Sequence, residues 1–204
     1  MSFPKKLETY FVNDQHIEIY VPEEQAILDR YRNNKEDAYW ARVWPASIGL
    51  CHFLGQHAHL IRNKQILELA AGLGLPGLYA ASFAKQITIT DREPIAEIFV
   101  KQSAQHLGLT NTLIKTLNWS DAIKEPLPEV VLLSDVNYEP AVFEELKQIL
   151  LFFLQQQVTV IISTPQRLVA KPFIMELLPY NYLQWNCTVS LHEKETGVSV
   201  FVLK

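Results

Sequence analysis

Residues 66–78 read ILELAAGLGLPGL, and the fold is decided here. Ile66 to Leu69 have the composition of a buried strand interrupted by one acid, Glu68. Gly72, Gly74 and Gly77, three of the chain's 7 glycines, then crowd into the turn that follows. A helical stretch from Leu75 to Phe83 comes next. A strand passing through so bare a turn into a helix is the ligand-binding corner of an open α/β sheet, because glycine lets a ligand approach the backbone. Read literally, Gly72-x-Gly74-x-x-Gly77 fits the dinucleotide fingerprint, with a pyrophosphate at the helix N-terminus. Two residues point elsewhere. Pro76 removes one N–H from the helix's first turn. Glu68 would repel a diphosphate but attract an ammonium group, such as the one on S-adenosyl-L-methionine beside its sulfonium. A methyl donor is therefore favoured over NAD, and tight strand–helix packing is the plainer alternative for the glycines.

Outward from this corner the pattern repeats. QILELA (65–70), QITITD (86–91), TLIKTL (112–117), EVVLLSD (129–135) and QVTVIIS (157–163) read as buried strands. Helical stretches at Leu75–Phe83, Pro94–His106 and Glu139–Gln156 separate most of them. Such alternation predicts a parallel sheet with helices on both faces. At the N-terminus, LETYFVNDQHIEIYV (7–21) alternates on either side of Asn13-Asp14, as a hairpin does. A short helix is expected from Pro22 to Asn34, and another headed by Pro45 and running to about Ile61. The tail departs from the strand–helix alternation. YLQWNCTVSLHE (182–193) and GVSVFVLK (197–204) flank a turn expected at Lys194–Gly197, an antiparallel hairpin closing the sheet edge. The fold class is α/β, a Rossmann-like, mostly parallel sheet with a C-terminal antiparallel hairpin. One domain is expected over 1–204, with 1–38 as an N-terminal extension on the substrate side.

A net charge of −4 argues against a surface built for nucleic acid. Two cysteines without CxxC spacing read as reduced thiols in a cytoplasmic protein. No apolar run is long enough for a membrane span, and the first residues lack the apolar stretch of a signal peptide. His52, His57 and His59 share a helix but not a face, so a metal site is not expected.

Other strand ends carry candidate chemistry. Asp91 closes QITITD, where a carboxylate accepts hydrogen bonds from both ribose hydroxyls of either nucleoside ligand; capping the helix from Pro94 is the plainer role. Trp119, in LNWSD, stands where an adenine ring would lie between apolar walls. Asp135 and Tyr138, in LLSDVNYEP, emerge beside the glycine turn, because the fourth strand of such a sheet lies next to the first. A buried acid without a partner is costly, so packing explains Asp135 poorly, and capping the helix that starts near Glu139 is its plainer role.

In this order, YWARVWPASIGLCHFL, ILELAAGLGLPGL, ITITDREP, LNWSD and LLSDVNYEP resemble the seven-strand protein-lysine methyltransferases with an Asp/Glu-x-x-Tyr/Phe motif, which are class I S-adenosylmethionine-dependent enzymes. The likeness runs from about Tyr39 to Arg167. It implies that Trp44 contacts the cofactor and that Glu68, Ala70, Ala71 and Gly72, with Gly74, hold its methionine part. It also implies Asp91 on the ribose, with Arg92 matching beside it, and Trp119 and Ser134 bordering the adenine. Asp135 and Tyr138 match the ends of the acid-x-x-aromatic motif on the substrate side. The activity implied is N-methylation of lysines in a protein substrate; a small amine acceptor, or a cofactor-binding subunit without catalysis, are the alternatives. Ala70 departs from the pattern, standing where the family has its first glycine.

Overall fold

The computed structural model describes residues 3–25, 27–28, 36–136, 140–167 and 170–204. The five apolar runs form parallel strands, β3 (Gln65–Leu69), β4 (Gln86–Asp91), β5 (Thr112–Thr116), β6 (Val130–Ser134) and β7 (Thr159–Pro165). Before them come the hairpin β1 (Lys5–Val12) and β2 (Gln15–Pro22) and the helix α1 (Pro45–Gln56). Between and after them run α2 (Leu75–Ala80), α3 (Pro94–His106), α4 (Phe143–Gln155) and α5 (Lys171–Leu177), then β8 (Asn181–Leu191) and β9 (Lys194–Leu203). The sheet order is β5-β4-β3-β6-β7-β9-β8, with β9 antiparallel to both of its neighbours. Strand order reverses between β3 and β6. This is the switch point, where a crevice opens at the C-terminal ends of the strands.

Successive residues of the strands serve two cores, one on each face of the sheet. Ile66, Val130, Leu132 and Val200 pack with α1, α2 and α3, in a core that also takes in the N-terminal hairpin. Leu67, Val131, Leu133 and Phe201 pack with α4 and α5. The period of two along each strand requires this division, and it explains why central strands carry apolar residues throughout.

Several boundaries differ from expectation. α2 stops at Ala80, because the N–H groups of Ser82 and Phe83 turn to the Tyr79 and Ala80 carbonyls three residues back. α1 ends at Gln56, followed by a short 3-10 turn at Ala58–Leu60. The helix expected from Glu139 begins as a 3-10 turn at Pro140–Val142 and becomes α-helical at Phe143. The C-terminal hairpin turns at His192 and Glu193, both with positive φ (49° and 62°), so Lys194–Gly197 lies within β9 and not in the turn. A two-residue turn of this hand matches the twist of the strands. Most of the helix expected over Pro22–Asn34 lies outside the described residues.

The N-terminal hairpin turns at Asn13-Asp14, as expected, and is docked onto the helices. Val12 and Ile19 are fully buried. The Tyr20 N–H donates to Ser103 Oγ on α3 at 3.0 Å, and Asn13 Nδ2 donates to Tyr79 OH on α2 at 3.2 Å. Tyr79 lies in the last turn of α2, at the opposite end of that helix from the switch point, so the hairpin tip points away from the crevice.

Candidate active site

A cleft of about 180 Å³ opens at the switch point. Its floor is the turn after β3, where Ala70, Gly72 and Gly74 all have positive φ (51°, 55° and 70°). Three left-handed residues in one turn curl the chain back on itself: Ala71 N–H bonds the Thr90 carbonyl and Gly74 N–H bonds the Ala71 carbonyl. A Cβ on Gly72 would meet the Trp40 carbonyl oxygen at 3.1 Å, so a side chain there would push the N-terminal segment off the turn. Asp91, at the end of β4, accepts the Gly72 N–H at 2.7 Å on one carboxylate oxygen and the Glu93 N–H at 2.9 Å on the other. Burial raises the Asp91 pKa, offset in part by these N–H groups and by Arg92. Each oxygen keeps a lone pair for a further donor, such as a hydroxyl.

Glu68 and Gly74, also expected to hold the methionine part, stand next to the cleft lining and are not among the residues on its surface. Gly74 is the N-cap of α2, its Cα backed by Val100 and Ile89. Glu68 is 1% exposed, and neither of its carboxylate oxygens makes a well-formed hydrogen bond. It points beneath α2, where a Cβ on Gly77 would run into its Oε2. Burial pushes its pKa well above the usual carboxylate range, and the Gly77 N–H relieves only part of this. Gly77 therefore exists for close packing over an acid.

The opposite wall comes from β6 and the N-terminal segment. Ser134 ends β6, and its hydroxyl meets that of Ser47, in the first turn of α1, at 3.0 Å. Asp135 follows in left-handed backbone (φ 54°), its N–H on the Ser163 carbonyl of β7 at 2.9 Å. Its buried carboxylate receives the Arg167 guanidinium on both oxygens, Nη1 to Oδ1 at 2.8 Å and Nη2 to Oδ2 at 3.1 Å. Burial raises the Asp135 pKa and the guanidinium pulls it back. Trp44 caps α1 and donates its indole N–H to the Tyr39 carbonyl at 3.0 Å. Trp119 heads the 3-10 turn Trp119–Lys124, its indole N–H on Glu145 of α4 at 3.2 Å. Ala70, Ala71, Gly72, Asp91, Arg92, Trp44, Trp119, Ser134 and Asp135 all border the cleft. Tyr138 lies outside the described residues.

This arrangement can hold a nucleoside by its hydroxyls and present a carboxylate at the far end. Comparison with known proteins gives it a class. The family model described as "Lysine methyltransferase" matches residues 24–179. The chain belongs to this family. It is similar to the protein N-lysine methyltransferase METTL21A of Xenopus tropicalis, 28% identical over 79% of this chain and 75% of that protein. It is also similar to the human histone-arginine methyltransferase METTL23, 27% identical over 69% of this chain and 77% of that one. Its fold matches magnesium protoporphyrin IX methyltransferase from Synechocystis with bound S-adenosylmethionine, at TM-score 0.61 and 13% identity, over 90% of this chain and 99% of that one.

The protein is thus an S-adenosylmethionine-dependent methyltransferase, and the nicotinamide reading of the glycines falls away. The cradle fits such a cofactor: bare backbone at Gly72, a carboxylate with free lone pairs at Asp91, and apolar wall at Leu117 and Trp119. Among the described residues no cluster of His, Cys, Asp and Glu could hold a metal ion, and no helix is long and apolar enough to cross a membrane. Residue-level reading missed Tyr39, Trp40, Ser47, Val142 and Glu145 on the cleft wall, and Arg167 paired with Asp135. The aromatic run at Tyr39, Trp40 and Trp44 was the available signal for the first two. Arg167 gave none, since TPQR after a strand reads as an ordinary loop.

Proposed function

We propose that this methyltransferase methylates the side-chain nitrogen of lysine in a protein substrate. The observation that carries the reading is the placement of Asp135: a buried carboxylate at the end of the strand beside the glycine turn, bordering the same cleft as Asp91. In this reading Asp91 takes the ribose hydroxyls, and the backbone of Ala70, Ala71 and Gly72 takes the methionine part. Trp44, Trp119 and Ser134 border the remainder, with Arg92 at the rim. Glu68, buried under the turn, and Gly74, at the start of α2, support the turn from beneath. Bound there, S-adenosylmethionine supplies an electrophilic methyl group on a sulfonium.

A lysine must arrive without its proton, because an ammonium has no lone pair to offer, and its ordinary pKa is about 10.4. A carboxylate beside an amine favours the ammonium, so Asp135 aligns the acceptor by accepting a hydrogen bond and does not itself promote deprotonation. Tyr138 completes the acid-x-x-aromatic motif in the sequence, and we assign it to the acceptor side on that ground alone. The substrate would be a protein, since METTL21A and METTL23 are named for protein acceptors. We place the protein in the cytoplasm, with its two free thiols, as one domain whose N-terminal extension, 1–38, brings Val12 and Ile19 of its hairpin into the core of the sheet.

A second reading, arginine as acceptor, has one observation in its favour: the similar METTL23 is named as a histone-arginine methyltransferase. One experiment tests both. Tritiated methyl transfer to total cell protein, followed by mass spectrometry of the labelled peptides, places the methyl group on lysine or on arginine. Asp135→Asn should lose transfer while S-adenosylhomocysteine still binds in calorimetry. An active Asp135→Asn protein would remove Asp135 from the acceptor site.

A further inference from the structure

Asp135 and Arg167 follow the ends of adjoining strands. Asp135 comes directly after β6, and Arg167 stands two residues beyond β7. Short hydrogen bonds fix the backbone that carries Arg167. Its own N–H donates to the Pro165 carbonyl at 2.7 Å, and the Gln166 N–H to the Gly197 carbonyl at 3.0 Å. The Gln166 side chain donates to Ser199 Oγ at 3.2 Å, so β9 of the C-terminal hairpin anchors the segment. The cleft wall includes Asp135 but not Arg167. Its side chain is 37% exposed while that of Asp135 is 5% exposed, so the guanidinium lies over the carboxylate at the edge of the cleft.

We propose that Arg167 is a positioning residue of the acceptor site, holding the Asp135 carboxylate in one orientation and offsetting its charge so that the incoming amine is received as the neutral base. The proposal rests on the acceptor role given to Asp135 above. An unpaired carboxylate would hold a lysine as its ammonium; a guanidinium forked on that carboxylate cancels the attraction and stays charged at every working pH. Two of the carboxylate's four lone-pair directions go to Arg167, which leaves others for the acceptor N–H. The other charged groups around the cleft have partners or face solvent. Asp91 holds the Gly72 and Glu93 N–H groups, Arg92 lies 3.7 Å from the Glu93 carboxylate, Glu145 accepts from Trp119, and Arg42 is exposed. No lysine or histidine among the described residues lines the cleft.

The test compares wild type with Arg167→Met and Arg167→Lys in three measurements. These are the pH profile of tritiated methyl transfer to total cell protein, calorimetry with S-adenosylhomocysteine, and carbon-13 titration of the Asp135 carboxyl. Arg167→Met should bind S-adenosylhomocysteine as wild type does, move the acid limb of kcat/KM up by about one pH unit or more, and titrate Asp135 at higher pH. Arg167→Lys, which keeps the charge and loses the fork, should restore the midpoint with a lower kcat. If Arg167→Met does not fold, Arg167→Gln takes its place with the same expectation. An acid limb or an Asp135 titration that stays put in the neutral variant overturns the proposal. A wild-type protein that labels no protein amine, while the Asp135 titration still moves, overturns the acceptor role beneath it and leaves the ion pair standing.

Discussion

Gly72 and Asp91, nineteen residues apart, are joined by a 2.7 Å hydrogen bond from the glycine N–H to the carboxylate. The bond ties the turn after β3 to the end of β4, so the residue assigned to the ribose also sets the curl of the loop assigned to the methionine part. Asp91→Ala should weaken S-adenosylhomocysteine binding roughly 10- to 100-fold, the worth of hydrogen bonds to a charged group. The carboxylate form is the one that accepts. Burial raises its pKa, so affinity should fade on acidification from a higher pH than an ordinary aspartate would give. Calorimetry across pH checks both; a pH-independent affinity would remove Asp91 from the site.

Ala70 has φ 51°, a left-handed backbone in which a Cβ costs roughly 1 kcal/mol. The strain answers why the family pattern puts glycine here. Ala70→Gly should raise the melting temperature by about 2–4 °C, the equivalent of 1 kcal/mol in a chain of this size. Ala70 also borders the cleft, and glycine there adds no atom to it, so S-adenosylhomocysteine should bind the variant at least as well. A lower melting temperature would mean that the methyl group packs favourably enough to outweigh the strain.

Much of this was legible because local chemistry and tertiary role agreed. The apolar runs of β3, β4, β6 and β7 have no other stable place than the middle of a sheet, and an alternating strand–helix order leaves few topologies. Asp91 and Asp135 were readable as strand-end acids for the same reason. Glu68 was not, since its sequence position puts it next to the glycine turn while its side chain passes beneath α2. The direction is set by the strand's alternation: Leu67 and Leu69 face α4 and α5, and Glu68 faces the other layer, where Gly77 makes room for it. The pairing of Arg167 with Asp135 depends on the register of β6 against β7 and on the anchoring of Gln166 by β9, long-range facts that no local pattern carries. The two-residue turn at His192-Glu193 was missed because the pair lacks the Asn-Gly, Asp-Gly or Gly-Gly signal of such turns, and Gly197 drew the turn downstream.

Ile19, in β2, is fully buried and belongs to the same core as α1, α2 and α3. A hairpin that opened and closed over the cleft would leave such a residue dispensable to folding. Ile19→Ala should instead cost about 2–5 kcal/mol in a denaturant titration. Retained stability with altered transfer kinetics would identify the hairpin as a moving element.

Glu68 gives the protein a pH-dependent weakness of defined sign. Its folded-state pKa is raised by burial, so the acid resists ionisation in the native state while ionising freely when unfolded. The penalty is absent below the unfolded pKa and grows as pH rises toward the folded one. Each pH unit over which the native acid stays protonated beyond its ordinary value costs about 1.4 kcal/mol. Glu68→Gln removes the titration, and its amide fits the same space. Thermal melts should show the variant more stable than wild type at neutral pH, the gap narrowing to nothing as pH falls below the carboxylate's ordinary range. A gap that is constant with pH would show that the Glu68 pKa is the same folded and unfolded, and a wild type that gains on the variant as pH rises would show Glu68 ionised beside a cationic partner.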